Sequence, residues 1–239
     1  LYDERDLLSE SNADPRAWYD MPHWDAHYDV ATFRQLYFGE ISHLDAAFGR
    51  LLRKLDALGL SDNTLLVFTS DHGEMAGAHG RFGKGVMFEE SLHVPLIIRA
   101  PGQRQGRRTD QLAATIDLLP TLLDYAGMEM AVPTEGASLK AQVEGGDADH
   151  ERIAFSEYRN FCASAQSWKL VTHGRTLEAA EFYNIIDDPY EQENRLDDPA
   201  CLEARAHLRE ALRCWHKRVV AGDPLETSES EKAWHQGNT

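Results

Sequence analysis

The sequence predicts an α/β protein. Helices and strands alternate as in a doubly wound sheet, with helices on both faces, and a small antiparallel sheet with a terminal helix follows. Three observations carry this. Residues 32–58 repeat apolar side chains at helical spacing. Residues 64–69 and 94–98 are apolar runs too short for ordinary helices, and they flank a polar loop. Past residue 150, short β-like runs separated by turn residues precede an amphipathic helix.

Taken in order, residues 1–30 mix Tyr2, Trp18, Tyr19, Trp24 and Tyr28 with acidic and basic residues and hold no regular period. They read as a loop with an aromatic surface, packed on its own domain or lining a pocket or a homo-oligomer contact. In the helix that follows, Tyr37, Ile41, Leu44, Phe48, Leu51, Leu52, Leu55 and Leu58 form the apolar face, with Arg34, Glu40, Arg50, Arg53 and Lys54 between them. Gly59 is its stop signal. The 64–69 run has the β-rich, two-faced apolar character of a strand buried in a parallel sheet. A second helix spans 112–127, with Asp117 as cap, Pro120 in the tolerated first turn and Gly127 at its end. A Gly- and Asp-rich stretch before residue 150 marks a boundary between a larger part (1–150) and a C-terminal subdomain (151–239). The latter has strands at 152–158, 168–172 and 181–186, a helix over 200–220 and a frayed tail beyond 222.

Composition narrows the partners. The 239 residues carry a formal net charge of −16, which argues against a nucleic-acid backbone or an anionic membrane surface. An anionic small molecule stays compatible, because one lysine or metal ion can dominate a pocket. No run reaches the roughly 18 apolar residues of a membrane span, so a soluble protein is expected, with cytoplasm and periplasm both open. Cys162, Cys201 and Cys214 form no CxxC pattern and read as free thiols.

The chemistry concentrates in residues 63–102. Asp71 and His72 follow the first strand directly, at the carboxyl end where open α/β sheets place ligands. A hard oxygen donor beside an imidazole suits a divalent cation, and equally a hydrogen-bonded loop anchor. Lys84 lies between Gly83 and Gly85, where small neighbours let a tetrahedral oxyanion approach an ammonium group. The bland alternative is a surface lysine in a mobile loop. His79 and His93 are further donor candidates, though structural histidines are commoner. Glu89 and Glu90 could form an acid–base pair, but nothing in the sequence separates their proton affinities.

These segments together resemble the second half of a sulfatase, in the alkaline phosphatase superfamily. The resemblance rests on NTLLVFTSDHGE, GAHGRFGKG, FEESLHVPLIIRAPG, TIDLLPTLLDYAG and the later FYNIIDDPYEQENRLDDP, and it extends from about Tyr37 to Trp215. It implies a mixed-sheet domain followed by a small antiparallel sheet and helix, and hydrolysis of sulfate monoesters (aryl, choline or sugar). Asp71 and His72 would be ligands of one divalent metal, Ca²⁺ first, with Mn²⁺ or Mg²⁺ as alternatives. Lys84 would contact the sulfate, and His72 could share in catalysis. Phosphonate or phosphate monoester hydrolysis within the superfamily, or a non-catalytic remnant, are the other readings.

The departures are as informative. The family's nucleophile lies in a C-x-P-x-R or C-x-A-x-R motif, absent from these 239 residues, and Cys162 in CASAQ is no substitute. The family's early metal aspartates have no counterpart. Phe88 and His93 stand where tyrosine and arginine are common. The expectation is a C-terminal portion of a longer enzyme, partnered by a missing N-terminal half and inactive on sulfate esters alone.

Overall fold

The computed structural model describes residues 18–21, 26–146 and 152–220. Its elements are β1 (Trp18–Met21), β2 (Ala26–Asp29), α1 (Val30–Ala57), β3 (Leu66–Thr69), α2 (Glu89–Leu92), β4 (Leu96–Arg99), α3 (Leu118–Ala126) and α4 (Lys140–Val143). The C-terminal part adds β5 (Ala154–Glu157), β6 (Phe161–Ser164), β7 (Trp168–Thr172), β8 (Ala179–Asn184) and α5 (Leu202–Trp215).

Helix α1 starts two residues before the predicted span because Asp29 caps it, its Oδ1 accepting from the Thr32 amide at 2.7 Å. The chain then turns at Gly59, whose φ of 67° is in the left-handed region. Phe48 packs on Phe68 of β3, ring centroids 5.1 Å apart. Much of the predicted apolar face does not follow it inward: Ile41, Leu44, Leu51 and Leu58 are exposed. Arg34 is the opposite case. It falls among the helix's charges yet is buried, with Nε donating to the Ala76 carbonyl at 2.8 Å. Periodicity identifies an apolar stripe but not which element covers it.

Strand β3 forms where expected, but its partner among the described residues is antiparallel β4, in register Leu66 with Arg99 through Thr69 with Leu96. Neither strand is fully buried, and Ile97 is 56% exposed. The 18–29 segment, read as a loop, contains the antiparallel hairpin β1–β2. Its remaining residues, the 147–151 boundary region and the tail past 220 lie outside the described residues.

Helix α3 ends at Gly127 as predicted, with φ 66°. Asp117 precedes it but does not cap it. Fully buried, it accepts from the Ala114 amide at 2.7 Å and the Ala137 amide at 2.9 Å, and pairs with Arg152. It therefore ties three separate segments together, more than a cap does.

The C-terminal sheet is a consecutive antiparallel meander, β5-β6-β7-β8. Strand β6 was not anticipated, since FCAS shows no alternation of apolar and polar residues. Period-two alternation then builds two faces. Phe161, Ala163, Leu170 and Phe182 join Leu208, Leu212 and Trp215 of α5 in the main core. Leu202 and Val219 are exposed. Cys162 and Val171 point the other way, against Met87 and Leu92. Cys162 and Cys201 are free and buried, and burial pushes the Cys162 thiol up to about 11.

The alternation that sends Leu170 into the core puts Lys169 on the opposite face, fully buried. Its Nζ donates to Glu89 Oε1 at 2.9 Å and pairs with Glu191, also fully buried in its side chain. Glu191 Oε2 accepts from the Glu89 amide at 2.7 Å, closing the triangle. Burial raises Glu89, but the bonds from His93 and Lys169 prevail and bring it down to about 2. Burial dominates at Glu191 and pushes it up to about 7 against the pull of Lys169.

Removing the cation leaves the buried Glu191 facing the part-buried Glu89 with no cation between them. Lys169→Met is expected to lose about 3–5 kcal/mol in urea unfolding, and adding Glu191→Gln should restore part of it. The groups facing Glu191 include Lys169, Glu89, Cys162 and Tyr183. Its folded pKa lies above its ordinary value, so its stabilising contribution is complete below about 4.5 and disappears as pH rises through about 7. Lys169→Met should thus be weaker at about pH 8 than at about pH 5, and a flat profile would contradict this.

Candidate functional site

Asp71 and His72 leave the carboxyl end of β3 on a turn stiffened from within. Ser70 Oγ donates to the His72 carbonyl at 2.8 Å, and the His72 amide donates to Asp71 Oδ1 at 3.0 Å. That amide bond, ahead of the neighbouring imidazole, holds the Asp71 carboxyl below its ordinary value. The side chain of Asp71 is 83% exposed and that of His72 39%. His72 Nδ1 lies 2.9 Å from the Gly73 carbonyl, which can only accept, so Nδ1 carries the proton. In the neutral tautomer Nε2 then carries the lone pair, 3.5 Å from Asp71 Oδ2. A carboxylate oxygen and a bare imidazole nitrogen at that separation fit two positions around one divalent cation. Among the described residues no third His, Cys, Asp or Glu completes a cluster.

The chain next passes too close to α2 for any side chain. A Cβ on Gly73 would lie 2.0 Å from the Glu90 carbonyl oxygen. Its amide donates to the Ser91 carbonyl at 2.9 Å, anchoring the turn on α2. Glu74, which the sequence did not single out, then organises the loop. Its Oε1 accepts from the Gly83 amide at 2.6 Å and the Ala76 amide at 3.1 Å. The Met75 amide donates to the Gly83 carbonyl at 2.9 Å. Two residues past the Asp71–His72 pair, the chain is thus stitched to the residue just before Lys84. Lys84 itself is exposed, and among the described residues no carboxylate pairs with it. From Phe33 of α1, ring contact with Phe82 at 4.9 Å supports the same loop.

The other candidates do not join this constellation. His79 stacks on Phe88, ring centroids 3.7 Å apart, and burial lowers its proton affinity. His93 Nδ1 sits 3.4 Å from Glu89 Oε2, and that hydrogen bond raises the imidazole. Glu89 is committed to Lys169 and stays ionised near neutral pH, so Glu89–Glu90 is no acid–base pair. No sequence periodicity could flag Glu74. The available signal was an acid directly after a glycine at a strand end, with a Gly-rich segment nine residues on.

The comparisons now have a geometry to explain. The sulfatase family model matches residues 7–128, and the model of the C-terminal region of N-sulphoglucosamine sulphohydrolase matches residues 77–218. An N-acetylglucosamine-6-O-sulfatase of Bacteroides thetaiotaomicron is 32% identical over 80% of this chain and 37% of its own length. An ulvan-active sulfatase of Formosa agariphila is 35% identical over 69% of this chain and 35% of its own. The chain therefore spans little more than a third of these curated relatives. A structure solved in complex with its substrate, D-glucosamine-2-N,6-O-disulfate, superposes with TM-score 0.69 at 30% identity, covering 83% of this chain and 43% of that one. The phosphonate monoester hydrolase of Agrobacterium radiobacter gives TM-score 0.70 at 30% identity, over 79% and 42%.

Glu74→Ala removes the acceptor shared by two amides, and Glu74→Gln keeps a carbonyl oxygen there. The alanine variant should speed hydrogen exchange at Gly83 and Ala76 about tenfold or more, and the glutamine variant should stay near wild type. Unchanged exchange in Glu74→Ala would show that the loop is held by other contacts.

Proposed function

The chain belongs to the sulfatase family, and on that premise we infer that it supplies one wall of a site that hydrolyses sulfate monoesters. The observation that supports this reading is the hydrogen bond from the Gly83 amide to Glu74, which ties the segment just before Lys84 to the chain two residues past His72. In this reading Lys84 pairs with the non-bridging sulfate oxygens and supports the charge that grows on them. Asp71 Oδ2 and His72 Nε2 hold one divalent cation, Ca²⁺ in the first instance and Mn²⁺ or Mg²⁺ otherwise, which when bound polarises the ester oxygens. His72 keeps Nε2 free by spending its Nδ1 proton on Gly73. The hydrogen bond from the His72 amide lowers the proton affinity of Asp71 and so favours the carboxylate form.

The remaining ligands and the nucleophile are absent from the 239-residue pattern. We place them in the counterpart of the larger portion of the relatives that the match does not cover. The reaction then runs through a covalent intermediate on that nucleophile. The active enzyme is this chain together with that portion, and the chain alone does not turn over sulfate esters.

In the full polypeptide, Lys84→Ala should lower kcat/KM for an aryl sulfate about 100- to 1,000-fold. Being exposed, Lys84 should leave thermal stability within about 0.5 kcal/mol of wild type. Parallel loss of activity and stability would mark a structural lysine. Faster turnover of a phosphonate monoester than of any sulfate ester would favour the phosphonate hydrolase reading.

A further inference from the structure

Helix α1 carries more apolar surface than the described residues cover. Tyr37, Ile41, Leu44, Phe48, Leu51, Leu55 and Leu58 follow one another at alternating steps of four and three, which sets them in a single seam along the helix. At the helical rise the seam runs roughly 30 Å. Phe48 meets Phe68 of β3, and Leu55 is half-buried. Ile41, Leu44, Leu51 and Leu58 are each 48–56% exposed. Arg53, by its helical position, falls on the face opposite the seam.

The sheet beside this helix is incomplete in the same sense. Strand β3 pairs with β4 along one edge, and its other edge meets no described strand. Leu66, Val67 and Phe68 put apolar side chains on both of its faces, and the strand holds none of the charges or prolines that guard a true sheet edge. Ile97 stands opposite Phe68 in register, so it shares the α1 side of the sheet, and it too is exposed. Two strands alone are marginal in water. Helix α1 enters β3 by a short turn, as the second half of a βαβ unit does, and such units join parallel strands.

We propose that this face is the interface for the larger portion of the relatives that the match does not cover. A strand of that portion adds to the free edge of β3, parallel to it, and the sheet it belongs to covers the α1 seam. The proposal rests on the reading that the active enzyme includes that portion, and it says where the two join. A parallel neighbour ends at the same end as β3, so the residues that follow it arrive beside Asp71 and His72. Other occupants fit less well. Residues 1–17 and 221–239 are rich in polar and charged residues and offer no apolar run to match the seam. A second copy pairing antiparallel with β3 about a two-fold axis sets the two copies of Asp71 at opposite ends and completes no site.

The test reads burial rather than activity. Leu44→Cys lies in the seam, Ile97→Cys on the sheet, and Arg53→Cys on the far side of the helix as control. Unsubstituted protein gives the background from Cys214. In the full polypeptide, a small maleimide should label Leu44→Cys and Ile97→Cys about 100-fold more slowly than Arg53→Cys, whereas in the present chain the three should label alike. Hydrogen exchange on unsubstituted protein keeps the test open where a cysteine variant fails to fold: the β3 amides facing away from β4 should slow by about the same factor in the full polypeptide. Equal labelling of all three cysteines there, with those amides unprotected, would overturn the interface. Protection already present in the chain alone would overturn it too: protection that rises with concentration marks a second copy, and protection that does not marks a cover from the chain itself. These outcomes leave the sulfatase reading standing. A protected seam in a full polypeptide that hydrolyses no aryl sulfate would count against that reading and not against the interface.

Discussion

The arrangement depends on one buried cation. Lys169 sits on the face of the small sheet opposite its core, and the Glu89 and Glu191 carboxylates close on it from two other segments. Desolvating an ammonium group costs several kcal/mol, so the face is tenable only with both carboxylates in place. The pairing fixes the sheet against α2, the helix on which the Asp71–His72 turn is anchored through Gly73 and Ser91. Moving the sheet would part the Tyr158 ring from the backbone of Gly85, the residue next to Lys84, and would also bare a charge. Orientation of the subdomain and integrity of the candidate site are thus parts of one electrostatic constraint.

A second, cheaper set of bonds shapes the loop inside that frame. Glu74 spends its carboxylate on two backbone amides, and His72 spends Nδ1 on a carbonyl. Each bond uses a polar group that could have faced solvent: the first orders the segment just before Lys84, the second fixes the His72 ring. The loop is thus ordered from within by Glu74 and by backbone carbonyls, while Lys84 stays exposed.

Much of this was legible in the sequence, for identifiable reasons. Strand β3 was readable because a short β-rich apolar run bounded by turn residues reads as a strand, whereas the Asp-His pair after it took its meaning only from the whole string of segments. Helix α3 was readable likewise, bounded by Pro120 and Gly127. Lys169 was not readable: a lysine inside WKLVT looks like the solvent-facing member of an alternating strand, and only the docking of α2 makes that face an interior. Arg34 and Asp117 were misjudged for the same reason, since their partners lie in other segments of the chain. The β1–β2 hairpin was hidden by the absence of any apolar period, and β6 by its lack of alternation. Local pattern reports local structure, and the polar residues that join segments carry no local pattern.

The central claim is that Asp71 and His72 present paired donors to one divalent cation. It is tested most directly by titrating the chain with Mn²⁺ and following histidine ring resonances by NMR. The account predicts paramagnetic broadening at His72 before His79 or His93, lost in Asp71→Ala. Uniform broadening of all exposed histidines, or broadening at His72 that survives Asp71→Ala, would contradict it.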